Sequence, residues 1–163
     1  MKKIFAKIKE FFLNLFKKQH QPQTETNKTK DDVLYVSLFL DKKSREKLLD
    51  HAMTYAPEWE NSKVIAEHHT IAFWTALTEE IYDWCKKNEG KSFNVYAYEY
   101  GISDKAFAVK LYTDIPCANE IKHITVMINP DNNGAAVDSN YITDWYNMPL
   151  LPLSGNVKFV YKS

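Results

Sequence analysis

At 163 residues the chain holds enough sequence for one domain with a sizeable core and too little for two comfortable ones. Its 21 Lys and Arg balance 21 Asp and Glu, which gives no basic signature for general binding to duplex DNA. Cys85 and Cys117 are its two cysteines, far apart and without metal-ligand spacing, and they read as free thiols of a reducing compartment.

The neutral total hides a gradient, because residues 1–20 carry six lysines against one glutamate and the remainder is mildly acidic. Over residues 1–18 the apolar Ile4, Ile8, Phe11, Phe12 and Leu15 recur at helical spacing among those lysines, predicting a basic amphipathic helix. Such a helix fits peripheral attachment to an anionic membrane, or packing on the body or on a partner chain. Lys7, Lys9 and Glu10 interrupt any signal-peptide core and no small-residue cleavage site follows, so the expectation is a cytoplasmic protein with an arm able to reach a membrane surface. Residues 19–32 hold almost nothing apolar and read as a disordered tether.

The folded body is expected over 33–163. Val33 to Leu40 is a strongly apolar strand with Tyr35, Ser37 and Phe39 on one face. Asp41 or Ser44 caps a helix through Tyr55 whose core side holds Leu48, Leu49, Ala52 and Met53, and Pro57 ends it. Lys63 to Phe73 reads as one strand. Thr78 caps a second helix through Asn88, and Gly90 is placed as its stop. Ser92 to Tyr100 and Lys105 to Tyr112 alternate and form a hairpin. Lys122 to Asn129 is another strand, residues 130–134 a polar turn, and Ser139 to Trp145 a helical turn. Pro149 and Pro152 forbid regular structure, and Asn156 to Lys162 closes the chain as a strand. The class is α+β.

Side chains alternate along a strand at about 3.3 Å per residue, so His68 and Thr70 share one face while His69 and Ile71 share the other. His123 and Thr125 repeat that arrangement. Two such doublets arise by chance on the order of a few per cent of the time. A phosphodiester cleaved without a metal needs a base for the nucleophile and an acid for the leaving oxygen, and histidine serves both near neutral pH. A threonine beside each supplies a hydroxyl, stiff at χ1, for a non-bridging oxygen where charge develops. The competing reading makes both histidines satisfied strand residues. Zinc is a poorer one, since no Cys, Asp or Glu sits at ligand spacing, and no metal or other cofactor is called for.

His68-x-Thr70-Ile71 and His123-x-Thr125-Val126, fifty-five residues apart on apolar strands, resemble the twin signatures of the 2H phosphoesterase superfamily. Gly101 to Leu111 and Ser139-Asn140 to Trp145 look like the branch related to the cyclic phosphodiesterase domain of eukaryotic tRNA ligases. The resemblance covers Val33 to the C-terminus. It implies a two-lobed fold in which two antiparallel sheets form a central cleft, each lobe offering one doublet with helices packed outside. It also implies metal-independent hydrolysis of 2′,3′-cyclic phosphates, or of 2′-5′ or 3′-5′ linkages in cyclic nucleotides and oligonucleotides. The substrate would then be a nucleotide, a cyclic oligonucleotide or an RNA end. Some phage and viral relatives direct this chemistry against cyclic-nucleotide immune signals.

Trp74 and Trp145 are placed where an aromatic plane could stack on a base. Tyr35 could face the cleft, and Lys105 after its turn could meet a phosphate. His69, His51 and His20 are expected to be structural. With four glycines and no Gly-rich phosphate loop, nucleotide-triphosphate chemistry is not indicated. Two readings of other classes stay open: a binding module that holds a nucleotide or RNA end without cutting it, and a membrane-associated interaction protein acting through the arm.

Overall fold

A computed structural model describes residues 28–59 and 62–163; the expected helix over 1–18 and most of the expected tether lie outside them. Seven strands, β1 (Val33–Leu40), β2 (Lys63–Val64), β3 (His68–Phe73), β4 (Ser92–Ile102), β5 (Ala106–Tyr112), β6 (His123–Ile128) and β7 (Trp145–Tyr161), join two helices, α1 (Lys42–Tyr55) and α2 (Glu79–Asn88). The strands form one sheet in the order β2-β6-β5-β4-β7-β1-β3, antiparallel throughout. The class is α+β as expected, and a single continuous sheet stands where two were anticipated.

The two ends of that sheet belong to one stretch of chain. Up to Ala66 the backbone bonds to β6, with Ile65 N–H donating to Val126 O at 2.8 Å and Ala66 N–H to Thr125 O at 3.0 Å. From Glu67 it bonds to β1, with Leu40 N–H donating to Glu67 O at 2.9 Å. The single strand expected over 63–73 is therefore split. Ala66 makes the transfer at φ 36°, a left-handed conformation that an L side chain adopts at a cost and that alanine does not advertise in sequence. The split brings β3 against β6.

Both helices start as expected. Asp41 accepts from Ser44 N–H at 2.7 Å, and Thr78 accepts from Ile81 N–H at 3.2 Å, each satisfying a donor that the first turn leaves free. Leu48 and Ala52 of α1 and Cys85 of α2 are buried on one side of the sheet against Val36, Leu38, Ile71, Val109, Ile124 and Val126. The other face of β3 and β6 is left to the doublets.

The expectation that Pro149 and Pro152 forbid regular structure fails. Between β4 and β7 the register jumps from Ala97↔Leu151 to Glu99↔Asn147, so residues 148–150 oppose Tyr98 alone. Pro149 falls in this bulge, where no ladder donor is needed. Pro152 lies opposite Tyr96, and β1 pairs only with Gly155 to Tyr161, leaving no strand on its other side. The bulge also exchanges faces. Before it Val95 and Ala97 enter the core; after it Tyr100 and Ile102 do, while Gly101 turns outward beneath Ile142 and Trp145.

The folded body begins a few residues before Val33. Lys30–Asp32 form a 3-10 turn, Asp32 accepts from Thr29 N–H at 2.7 Å, Lys30 pairs with Glu79 at 2.5 Å, and Lys162 N–H donates to Asp32 O at 2.8 Å. Residues 29–32, placed in the tether by sequence, thus join the folded body, because side-chain oxygens and Lys162 at the end of β7 offer these polar residues partners. Among the described residues no helix is long and apolar enough to cross a membrane.

Candidate active site

His68, Thr70, His123 and Thr125 all line one cleft of about 360 Å³, together with Tyr35 and Phe73. Alternation alone sends the four side chains to this face, and the transfer at Ala66 sets the two strands against each other. The partners of the two doublets differ.

On β3, His68 lies opposite Phe39 of β1, and Thr70 opposite Ser37. The His68 ring stacks on Tyr35 with centroids 5.5 Å apart at 22° and meets Phe39 at 5.0 Å. This aromatic wall shields the ring, so its pKa falls below the ordinary 6.5, with Glu67 pulling the other way. Its Nδ1 is buried with no hydrogen-bond partner among the described residues, as is the Ser37 hydroxyl. The edge of β3 is covered by the segment before β6. Ala118 N–H donates to Ile71 O at 2.8 Å and the Cys117 thiol to Thr70 O at 3.4 Å, which places Asn119 in the cleft wall.

On β6, Nδ1 of His123 lies 2.8 Å from Ile121 O. A carbonyl only accepts, so Nδ1 carries the proton and Nε2 is left for the cleft. Burial lowers this pKa too, opposed by the bond to Ile121. Thr125 Oγ1 stands 2.9 Å from Ser139 Oγ and 3.2 Å from Ala136 O. Both partners come from the 3-10 turn Ala136–Tyr141, which also lends Asn140 and Val137 to the cleft.

Of the four candidate substrate contacts, Tyr35 lies in the cleft and three do not line it. Trp74 is 54% exposed on the 3-10 turn after β3, with the Lys162 ammonium 4.7 Å above its ring. Lys105 sits in the β4–β5 turn, where its carbonyl accepts from Asn129 N–H at 2.9 Å. Trp145 lies half-buried over Ala106 and Ala108, donates Nε1–H to Ile142 O at 3.1 Å, and carries the Lys110 ammonium 4.7 Å from its ring. The expected helical turn at 139–145 sits earlier, at Ala136–Tyr141, and Trp145 instead opens β7.

Sequence reasoning missed Phe73, Asn119 and Asn140 as cleft residues. Phe73 is 51% exposed and packs on Tyr35 at 5.6 Å; a phenylalanine ending an apolar strand reads as core. The two asparagines come from irregular segments that no period marks. Among the described residues no group of three His, Cys, Asp or Glu is placed to hold a metal ion.

No family model matches the chain, and no curated protein matches it. Among solved structures it is similar to a crystal structure of a fungal RNA kinase, with a TM-score of 0.50 and 15% identity over 83% of this chain and 46% of that one. At that identity the likeness is one of fold, and the chain spans under half the length of that protein.

Proposed function

We propose that the protein hydrolyses a cyclic phosphodiester of a nucleotide or RNA end, without a metal, by acid–base catalysis between His68 and His123. The observation that carries this reading is that two imidazoles and two threonine hydroxyls from separate strands line one cleft. One imidazole, neutral, takes a proton from water as the water oxygen bonds to phosphorus. The other, protonated, gives its proton to the sugar oxygen as the P–O bond breaks. One water is consumed, and proton exchange with solvent resets the pair. Each transfer contributes roughly a hundred- to ten-thousandfold.

Thr70 donates to a non-bridging oxygen, whose charge grows in the transition state, and Thr125 does the same once its single O–H turns from Ala136 O and Ser139 Oγ toward the substrate. Tyr35 and Phe73 offer aromatic surface to a base, worth roughly 1–3 kcal/mol per stacked base, and Asn119 and Asn140 offer amides that can read a base edge. The fold likeness to an RNA kinase favours an RNA end among the candidate substrates. The basic arm over residues 1–18 would hold this domain at an anionic membrane or a partner, and vesicle co-sedimentation of the full chain against a chain starting at Lys28 tests that role.

The direct test is product chromatography after incubation with 2′,3′-cyclic mononucleotides, cyclic dinucleotides, cyclic trinucleotides and an RNA carrying a 2′,3′-cyclic end, each with and without EDTA. Turnover of at least one substrate is expected. Binding without product would leave a nucleotide-binding module, and activity lost on chelation would overturn the two-histidine mechanism.

A further inference from the structure

The chemistry assigned to the cleft leaves one histidine unused. His69 follows His68 directly, so alternation turns it to the opposite face of β3, where it is completely buried. Its Nδ1 lies 3.0 Å from the backbone carbonyl oxygen of His123, on the strand that carries the second doublet. Adjacent residues of one strand therefore supply a ring to the cleft and a ring that grips the strand across from it. We infer that His69 is a positioning residue, whose buried imidazole holds the His123 backbone and so fixes where the His123 ring stands against His68. The inference rests on the two-histidine reading of the cleft.

The carbonyl can only accept, so Nδ1 of His69 is the donor and the ring is the Nδ1–H tautomer. Nε2 then has no hydrogen-bond partner among the described residues. An apolar side chain of similar size would fill this space without stranding a nitrogen. What imidazole supplies there and leucine does not is the bond to His123. The charged and titratable groups acting on it are His123, Lys122 and His68, none of them acidic, and burial drives its pKa to about 4. It stays neutral wherever the cleft works. With the Ile121 carbonyl holding Nδ1 of the His123 ring and Ala66 N–H holding Thr125 O, the second doublet is restrained at ring and backbone. Asn119 and Asn140, by contrast, line a wall of the same cleft, and among the described residues neither side chain hydrogen-bonds to the doublets.

The test uses the full chain with His69→Asn and His69→Leu, because the Asn amide nitrogen overlies Nδ1 of histidine whereas leucine removes the donor. Long-range proton–nitrogen NMR should show wild-type His69 as the Nδ1–H tautomer, without titration across the neutral range. The His123 midpoint should shift in His69→Leu, as the ring moves in its burial and its bond to Ile121, and return in His69→Asn. With 2′,3′-cyclic AMP as substrate, His69→Leu should lower kcat roughly ten- to a hundredfold with KM nearly unchanged, and His69→Asn should recover most of that loss. An Nε2–H tautomer, titration near neutrality, or a folded His69→Leu with wild-type midpoint and kcat overturns the assignment. So does an Asn variant no better than leucine. If leucine prevents folding, the wild-type tautomer and the Asn variant decide. If the wild type does not cleave 2′,3′-cyclic AMP, that bears on the proposed activity, while the NMR arm still decides the role of His69.

Discussion

Replacing Thr125 by valine keeps the shape of a β-branched side chain and removes one hydroxyl, which makes two costs separable. The first is to stability. Ser139, 2% exposed, loses the partner 2.9 Å away, and a stranded buried hydroxyl costs about 1–3 kcal/mol. The extra apolar surface of valine offsets part of this, leaving a melting temperature lower by roughly 3–8 °C for a body of this size. The second cost is to turnover. Removing one donor aimed at developing negative charge costs roughly a hundred- to a thousandfold, about 2.7–4 kcal/mol of barrier. A protein that has lost only the first amount is still folded at 25 °C, so a rate loss of the second size is chemical. Thermal melts and single-turnover hydrolysis of the best panel substrate give the two numbers. Ser139→Ala is the control, because it deletes the same hydroxyl pair and spares the donor beside His123. Turnover by Thr125→Val within about threefold of wild type, or an equal fall in Ser139→Ala, would refute the role given to Thr125.

His68→Ala and His123→Ala should each remove nearly all turnover while melting close to wild type, and a fully active single variant would end the two-histidine mechanism. Burial lowers both imidazoles below 6.5, so kcat/KM should follow a bell with its maximum on the acid side of that value. The anionic substrate raises both pKa values in the complex, which moves the kcat maximum to higher pH. A kcat/KM maximum above about pH 7.5 would contradict the burial. Denaturant unfolding should report His69 as well: its pKa is 6.5 unfolded and about 4 folded. Its contribution is complete above pH 6.5 and is lost as pH falls toward 4, a decline of roughly 3 kcal/mol. Gly155→Ala should destabilise by about 1–3 kcal/mol in the same assay, because its Cβ would run into the Phe39 carbonyl oxygen and come within 3.1 Å of Leu40 Cα.

Much of the site was legible because period two is a local property. His68 with Thr70 and His123 with Thr125 share faces whatever the topology, and that is why the doublets could be read before any pairing was known. The same holds for the caps at Asp41 and Thr78, where one side chain and one turn suffice. What failed to show was relational. The transfer at Ala66 depends on two ladders competing for one stretch, and alanine gives no warning of a positive φ. Pro149 looked like a breaker because its bulge exists only in the register of β4 against β7. Trp74 was placed by nearness to the first doublet, Trp145 by an expected loop and Lys105 by its turn, yet a 3-10 turn, the face exchange at Tyr98 and the hairpin turn carry them off the cleft lining. Phe73 reached it from the end of β3, and Asn119 and Asn140 from irregular segments.

Strand β7 sits between β4 and β1, although it is the last strand of the chain. During synthesis on the ribosome β1 and β4 emerge with no strand to separate and join them, and each waits with an open hydrogen-bonding edge until the seventeen-residue β7 is released. The nascent chain thus keeps these edges exposed until β7 is released. A chain stopped short of Trp145 would lose the whole bridge between its two halves, and with it any mature cleft.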